Sequence, residues 1–147
     1  MKIDAIKNGI VIDHITAGKA MQLYTMLGLD DLECTVAVIK NVPSQKMGKK
    51  DIIKIDSAID INLEVLGYIS PHVTVNFIKD SLRVDKRHID LPTSLTNVIR
   101  CKNPRCISTT EWQIKHVFTL RDREREEYRC IYCDTAAPPK PKYYEKL

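Results

Sequence analysis

Four cysteines constrain this chain more than any other feature. Cys101 and Cys106 stand as C-x4-C and Cys130 and Cys133 as C-x2-C, with 23 residues between the pairs. Each spacing makes a tight turn that aims two sulfurs at one point. Two such turns supply the tetrahedron of thiolates that a structural Zn2+ takes. Asn103 and Pro104 favour the first turn, and Ile131 and Tyr132 sit between the ligands of the second. The competing readings are two disulfides or four unrelated buried thiols. The spacing favours a metal, with one structural zinc ion expected. A closed set of four thiolates leaves no position for a reacting water, so hydrolysis at that metal is disfavoured.

A length of 147 residues allows one ordinary domain or two small ones. Hydrophobic content of 44% beside 29% charge is that of a soluble globular chain, and no apolar run reaches the roughly 18 residues a bilayer span needs. The first residues, MKIDAIKNGIVIDHI, carry acids inside their apolar run and do not read as a signal peptide. Five cysteines, four of them in metal spacing, fit a reducing compartment, so a cytoplasmic location is expected. The fifth, Cys34, is expected to be buried in a strand. Residues 1–97 hold 12 Lys/Arg against 12 Asp/Glu, and residues 98–147 hold 11 against 7, so the whole formal +4 lies in the C-terminal part. Four thiolates around a dication contribute −2, leaving about +2 there. That is thin support for a nucleic-acid footprint, and no nucleic-acid or membrane partner is expected.

Along the chain the hydrophobic period changes repeatedly. Residues 2–15 read as a strand with a turn or bulge at Asn8-Gly9. Ala20, Leu23, Tyr24 and Leu27 mark a helix over Thr16 to Leu29, with Thr16 as N-cap and Gly28 as stop. Thr35 to Ile39 is β-branched and reads as a central strand. A polar turn region follows over Asn41 to Lys50, and Asp51 to Asp56 returns as the second arm of a hairpin. Ile59, Leu63, Leu66 and Ile69 give a second helix stopped by Ser70-Pro71. His72 to Ile78 is a strand, and Leu82 to Lys86 a short strand or turn. The order matches the split βαβ, ferredoxin-like plan, an α+β fold whose antiparallel sheet of four strands carries two helices on one face.

Residues 88–97 lack periodicity and contain Pro92, so the boundary is placed there, with domains of residues 1–92 and 93–147. The second domain is expected to be small and all-β. Its strands are read at Trp112 to Leu120 and Glu127 to Ile131, joined by a mixed-charge turn over Arg121 to Glu127. Residues 136–147, rich in Pro and Lys, have no core of their own. A module this small needs its metal to fold.

The catalytic constellations are missing from the sequence: no Gly-rich phosphate loop, no nucleophile elbow, and only four histidines. Asp13-His14 closes the first strand, where a side chain leaves the sheet. By itself that pair reads as structural or solvent-exposed. Lys49, Lys50, Lys54 and Lys86 read either as a solvated face or as cations able to hold a triphosphate.

Taken in order, residues 4–15 (DAIKNGIVIDHI), residues 43–55 (PSQKMGKKDIIKI), residues 72–76 and the cysteine quartet resemble the regulatory chain of aspartate carbamoyltransferase over residues 3–134. The resemblance implies a non-catalytic subunit of pyrimidine biosynthesis. Such chains bind CTP as inhibitor and ATP as competitor in the N-terminal domain, with UTP a further candidate effector. They pair as homodimers through that domain and dock on catalytic chains through the zinc domain, three regulatory dimers bridging two catalytic trimers. Carried over position by position, base and ribose would meet Ala5, Ile6, Val11, Asp13, His14, Lys54, Asn76 and Ile78. The phosphates would meet His14, Lys50 and Lys86. Ser81 and Arg83 stand where the family commonly has an aromatic and an aliphatic residue, and Arg105 stands where it has Asn. The rival reading from another class is a small zinc-ribbon protein that binds nucleic acid. It would need exposed aromatics on the central strands, where the sequence offers Phe77.

Overall fold

The structure, a computed structural model, describes residues 5–138 and divides into two compact units, Met1–Asp90 and Leu91–Leu147. The first is built on a five-stranded antiparallel sheet. Its strands are β1 (Gly9–Thr16), β2 (Val36–Ser44), β3 (Gly48–Ile55), β4 (Thr74–Lys79) and β5 (Leu82–His88), in the order β2-β3-β1-β4-β5. Helix α1 (Ala20–Met26) lies between β1 and β2, and α2 (Leu63–Ile69) between β3 and β4. The helices pack on each other. That is the expected ferredoxin-like plan with β5 added as a fifth strand.

Alternation builds the core. Ile10, Ile12, Ile53, Ile55 and Val75 point to one face of the sheet and are fully or almost fully buried, as are Ala20 and Leu23 of α1 and Val65, Leu66 and Ile69 of α2. Ile12 and Ile15 are both at 0% exposure although three residues apart, which strict alternation forbids. The register of β1 against β3 slips between them, and His14 takes φ 58°. This is a β-bulge: one extra residue turns Asp13 and His14 together to the other face and returns Ile15 to the core. Gly9 is required at the start of β1, because a Cβ there would lie 2.0 Å from the Ile55 carbonyl oxygen.

Several expectations need correction. β2 is an edge strand rather than a central one, because β-branched content reports fit to a pleated surface and not position in the sheet. The hairpin arms run through most of the polar 41–50 stretch, leaving a turn at Gln45–Met47. Thr16 ends β1, and its carbonyl accepts the Lys19 N–H; α1 begins only at Ala20, after the Ala17-Gly18 turn. Gly28, at φ 71°, does stop it. The second helix starts at Leu63, four residues later than its period suggested. Asn62 caps it, its Oδ1 accepting the Glu64 and Val65 N–H groups at 3.1 and 3.3 Å. Residues 5–8 precede the first strand rather than belonging to it, and residues 2–4 lie outside the described part. Cys34 sits half-buried in a bend before β2, not in a strand.

The second unit has a three-stranded antiparallel sheet of β6 (Ser94–Thr96), β7 (Val117–Asp122) and β8 (Glu127–Cys130), plus one helical turn, α3 (Ile107–Thr110). β6 lies inside the stretch read as aperiodic linker. The alternation read from Trp112 is turn as far as His116, and Trp112 is 94% exposed. Leu95, Phe118 and Tyr128 form the small apolar core, with the Tyr128 hydroxyl donating to the Pro92 carbonyl at 2.5 Å. The Pro- and Lys-rich tail after Pro138 lies outside the described residues. Among those described, no helix is long and apolar enough to cross a membrane.

Candidate functional site

In the second unit the four cysteines converge. The sulfurs of Cys101, Cys106, Cys130 and Cys133 all lie within 4.8 Å of one another. Cys101 and Cys133 are 3.5 Å apart and Cys106 and Cys130 3.7 Å, too far for disulfides near 2.05 Å. Zinc–sulfur bonds of about 2.3 Å at tetrahedral angles put sulfurs about 3.8 Å apart, so the quartet fits such an ion. Each knuckle is tied by its own backbone. In the first, the Cys106 N–H donates to the Asn103 carbonyl at 3.1 Å and the Arg105 N–H to Asn103 Oδ1 at 3.0 Å. In the second, the Asp134 N–H donates to the Cys130 carbonyl at 2.9 Å, with Asp134 at φ 62°.

The electrostatics call for a cation. Burial pushes the Cys101 thiol up to about 12, with a further contribution from Cys130, and burial raises Cys130 as well. Hydrogen bonding with the Thr135 hydroxyl, 3.1 Å away, pulls Cys133 down to about 6. Sulfurs this close resist charging together, and a dication among them reverses that cost. His116 stands beside the quartet without joining it. Its Nδ1 accepts the Cys101 N–H at 3.3 Å, and burial, then Arg100, lowers its pKa, which keeps that acceptor unprotonated.

The first unit presents a different kind of site on the sheet face away from the helices. Lys54, Val11, Asn76 and Lys86 are register partners in one row across β3, β1, β4 and β5, so their side chains leave the same face. Ile78, two residues from Asn76, shares that face. Two residues from Val11 stands Asp13, whose Oδ1 meets Lys50 Nζ at 2.9 Å. The bulge adds His14, with Nδ1 3.2 Å from Thr74 Oγ1. Asn76 Oδ1 is buried with no hydrogen-bond partner among the described residues. An open pocket of about 480 Å³ adjoins the row, walled by Ala5, Ile6 and Lys7 on one side and by Thr35, Ala37, Lys54 and Asp56 on the other.

Eight of the ten sequence-predicted nucleotide residues therefore share one sheet face, and Ala5 and Ile6 stand at the adjoining pocket. Lys49, the remaining lysine of the group, is exposed near the hairpin tip. Thr35, Ala37 and Asp56 were missed, because the pairing of β2 with β3 brings them to the pocket, and Lys7 was missed although it adjoins Ile6. The β4–β5 turn also had no signal: Asp80 and Ser81 both have positive φ, and their N–H groups donate to Asn8 Oδ1 at 3.1 Å and the Lys7 carbonyl at 2.9 Å. Ser81 thus steadies the pocket wall from behind, and Arg83 pairs with Ile78 on exposed β5.

Two family models match this chain: the aspartate carbamoyltransferase regulatory chain, allosteric domain, over residues 1–90, and the metal binding domain of the same regulatory chain over residues 93–138. The chain belongs to the aspartate carbamoyltransferase regulatory chain family. It is similar to the regulatory chain of Clostridium tetani, 50% identical over 135 residues, which cover 91% of this chain and 94% of that one. The Clostridium botulinum (strain Hall) chain is 48% identical over 91% of this chain and 92% of its own length. That of Bifidobacterium longum is 42% identical over 93% and 99%. This chain is accordingly a regulatory, non-catalytic subunit of aspartate carbamoyltransferase, with an allosteric domain ahead of a metal-binding one. The cysteine quartet falls in the metal-binding part and the charged sheet face in the allosteric part.

Proposed function

We propose that residues 1–92 bind the effector nucleotides CTP and ATP, with UTP a third candidate, and that residues 93–147 hold one zinc ion and grip the catalytic chain. The observation that carries the reading is the row Lys54–Val11–Asn76–Lys86, flanked by Lys50 and His14. Cations on three strands of one face suit a triphosphate, which takes charge-assisted hydrogen bonds. The pocket walled by Ala5 and Ile6 suits a base, whose polar edge the backbone there can read. The unpartnered Asn76 carbonyl is an acceptor that a ligand donor would satisfy.

Zinc is the metal best matched to four clustered thiolates. Around it Ile107, Trp112, Ile131 and Tyr132 are exposed apolar side chains next to or near the knuckles, the residue types that anchor protein interfaces. The catalytic chain of aspartate carbamoyltransferase is the partner they would meet. The chain pairs with a second copy through its N-terminal domain and works in the cytoplasm in pyrimidine biosynthesis. An effector acts by binding one quaternary state better than the other. The nucleic-acid reading loses its support, because Phe77 is the register partner of core residue Ile10 and leaves the sheet on the helix side.

Calorimetric titration with CTP tests the assignment. Replacing His14 or Lys86 by Ala should weaken binding about tenfold or more, the size of a lost hydrogen bond to a charged group, while zinc content stays at one per chain. Undiminished affinity in both variants would place the nucleotide elsewhere.

A further inference from the structure

Asp51 is a carboxylate at 0% exposure inside the first unit, and it faces the helices, opposite the nucleotide face. Its Oδ2 accepts the N–H groups of Gly18 at 3.0 Å and Ala20 at 3.2 Å, and its Oδ1 that of Asn41 at 2.9 Å. Asn41 lies in one place where the sheet departs from regularity, and Gly18 and Ala20 lie in the turn just beyond another. β1 slips register between Ile12 and Ile15, opposite Ile53 and Asp51 of β3. β2 slips between Ile39 and Val42, opposite Ile52 and Lys50. The strand β3 thus has a bulge on each side at one level. Each bulge holds a non-glycine residue in the left-handed region, His14 and Asn41, both at φ 58°. Such conformations persist only where the surroundings over-determine them. Asp51 binds the β2 bulge directly; at the β1 bulge the His14 N–H donates to Asp13 Oδ1 at 2.6 Å, and Asp51 holds the turn that follows.

The consequence appears on the opposite face. The β1 bulge sends both Asp13 and His14 to the nucleotide side, where Asp13 holds Lys50, the residue preceding Asp51. We propose that Asp51 is a positioning residue for the phosphate corner formed by His14, Lys50 and Asp13. By holding the Asn41 bulge directly and the Gly18–Ala20 turn that follows the β1 bulge, it fixes where the imidazole and the ammonium point, without touching the ligand. This rests on the nucleotide reading above and extends it to a residue that no ligand contact would reveal. The pocket beside Ala5 and Ile6 lies past the other end of β1 and should not depend on Asp51.

The test separates phosphate from base. Binding of inorganic tripolyphosphate and of cytidine is measured by NMR titration on the full zinc-loaded chain, for the wild type and Asp51→Asn, with Lys86→Ala as control. The amide nitrogen that the substitution introduces cannot accept, so at least one of the three bonds is lost while size is kept. Expected are a fivefold to tenfold loss for tripolyphosphate, about the effect of one misplaced charged contact, unchanged cytidine binding, and shifted His14 ring signals. If Asp51→Asn is too unstable to study, Gly18→Ala perturbs the same turn. Its φ of 93° strains any side chain, though nothing lies within 4 Å of the new methyl. Equal losses for both ligands would mean general loosening and overturn the proposal, as would unchanged tripolyphosphate binding with His14 signals in place. Should Lys86→Ala also leave tripolyphosphate binding intact, the nucleotide reading itself would fall. If only Lys86→Ala weakens it, the Asp51 assignment alone would.

Discussion

Among the described residues, the unit before Asp90 buries fourteen apolar side chains, from Ile10 to Val75. The unit after it buries six, from Leu91 to Tyr128, plus three of its four metal-facing cysteines. The first unit can hold its shape by burial, at roughly 25 cal/mol for each Å² of apolar surface removed from water. The second cannot, and its quartet of sulfurs stands where a larger core would be. Functional groups follow the same division. In the first unit the proposed nucleotide groups lie on an open sheet face, backed by an apolar core. In the second the buried centre is mechanical, and on the proposed reading the exposed apolar side chains around it would meet the partner. A charged ligand suits a rigid sheet face, and a protein partner suits an apolar patch clamped from behind.

Stripping the metal is the largest perturbation of this comparison. Cys130→Ser, or removal of zinc by a mercurial, should unfold the second unit. A structural zinc contributes on the order of 10 kcal/mol to a small domain, as much as a whole domain's stability. Hydrogen exchange would show amides of β6–β8 losing protection while those of β1, β3 and β4 keep theirs. If both units lose protection together, the division is wrong. Next in size is Ile12→Ala in the apolar core, expected to cost about 3 kcal/mol of first-unit stability in denaturant unfolding, with zinc content unchanged. Smaller still, Trp112→Ala should weaken association with catalytic chains by about 2 kcal/mol, roughly 30-fold, in a sedimentation or surface-binding measurement. It should leave both folding and CTP affinity alone, since the side chain is 94% exposed.

What could be read from the sequence divides along physical lines. The cysteine quartet was legible because a metal imposes its spacing directly on the chain. The βαββαβ order was legible because each element carries its own hydrophobic period. Helix starts were less so: Thr16 has the chemistry of an N-cap, but strand pairing with Lys50 claims it first. Asn62, which does cap α2, could have been found from its position before Leu63-Glu64. The bulges at Asp13-His14 and Lys40-Asn41 were not read from the sequence: the Asn41 N–H is held by Asp51 from another strand, while at the β1 bulge the Asp13 carboxylate accepts the N–H of its neighbour His14. Trp112 misled because alternation over Trp112, Ile114 and His116 imitates a strand. In fact the Ile114 N–H donates to the Glu111 carbonyl in a turn. The nucleotide residues were named from family resemblance; periodicity alone would have left Lys54, Asn76 and Lys86 as solvated surface.

The central claim is that the proposed nucleotide site and the metal clamp lie in separate units of the chain. Its most direct test is a CTP titration of the full chain before and after zinc removal, with binding to catalytic chains followed in parallel. The account predicts that CTP affinity stays within about twofold, well under the tenfold that 1.4 kcal/mol represents, while catalytic-chain binding is lost. A fall in CTP affinity that tracks the loss of metal would contradict it.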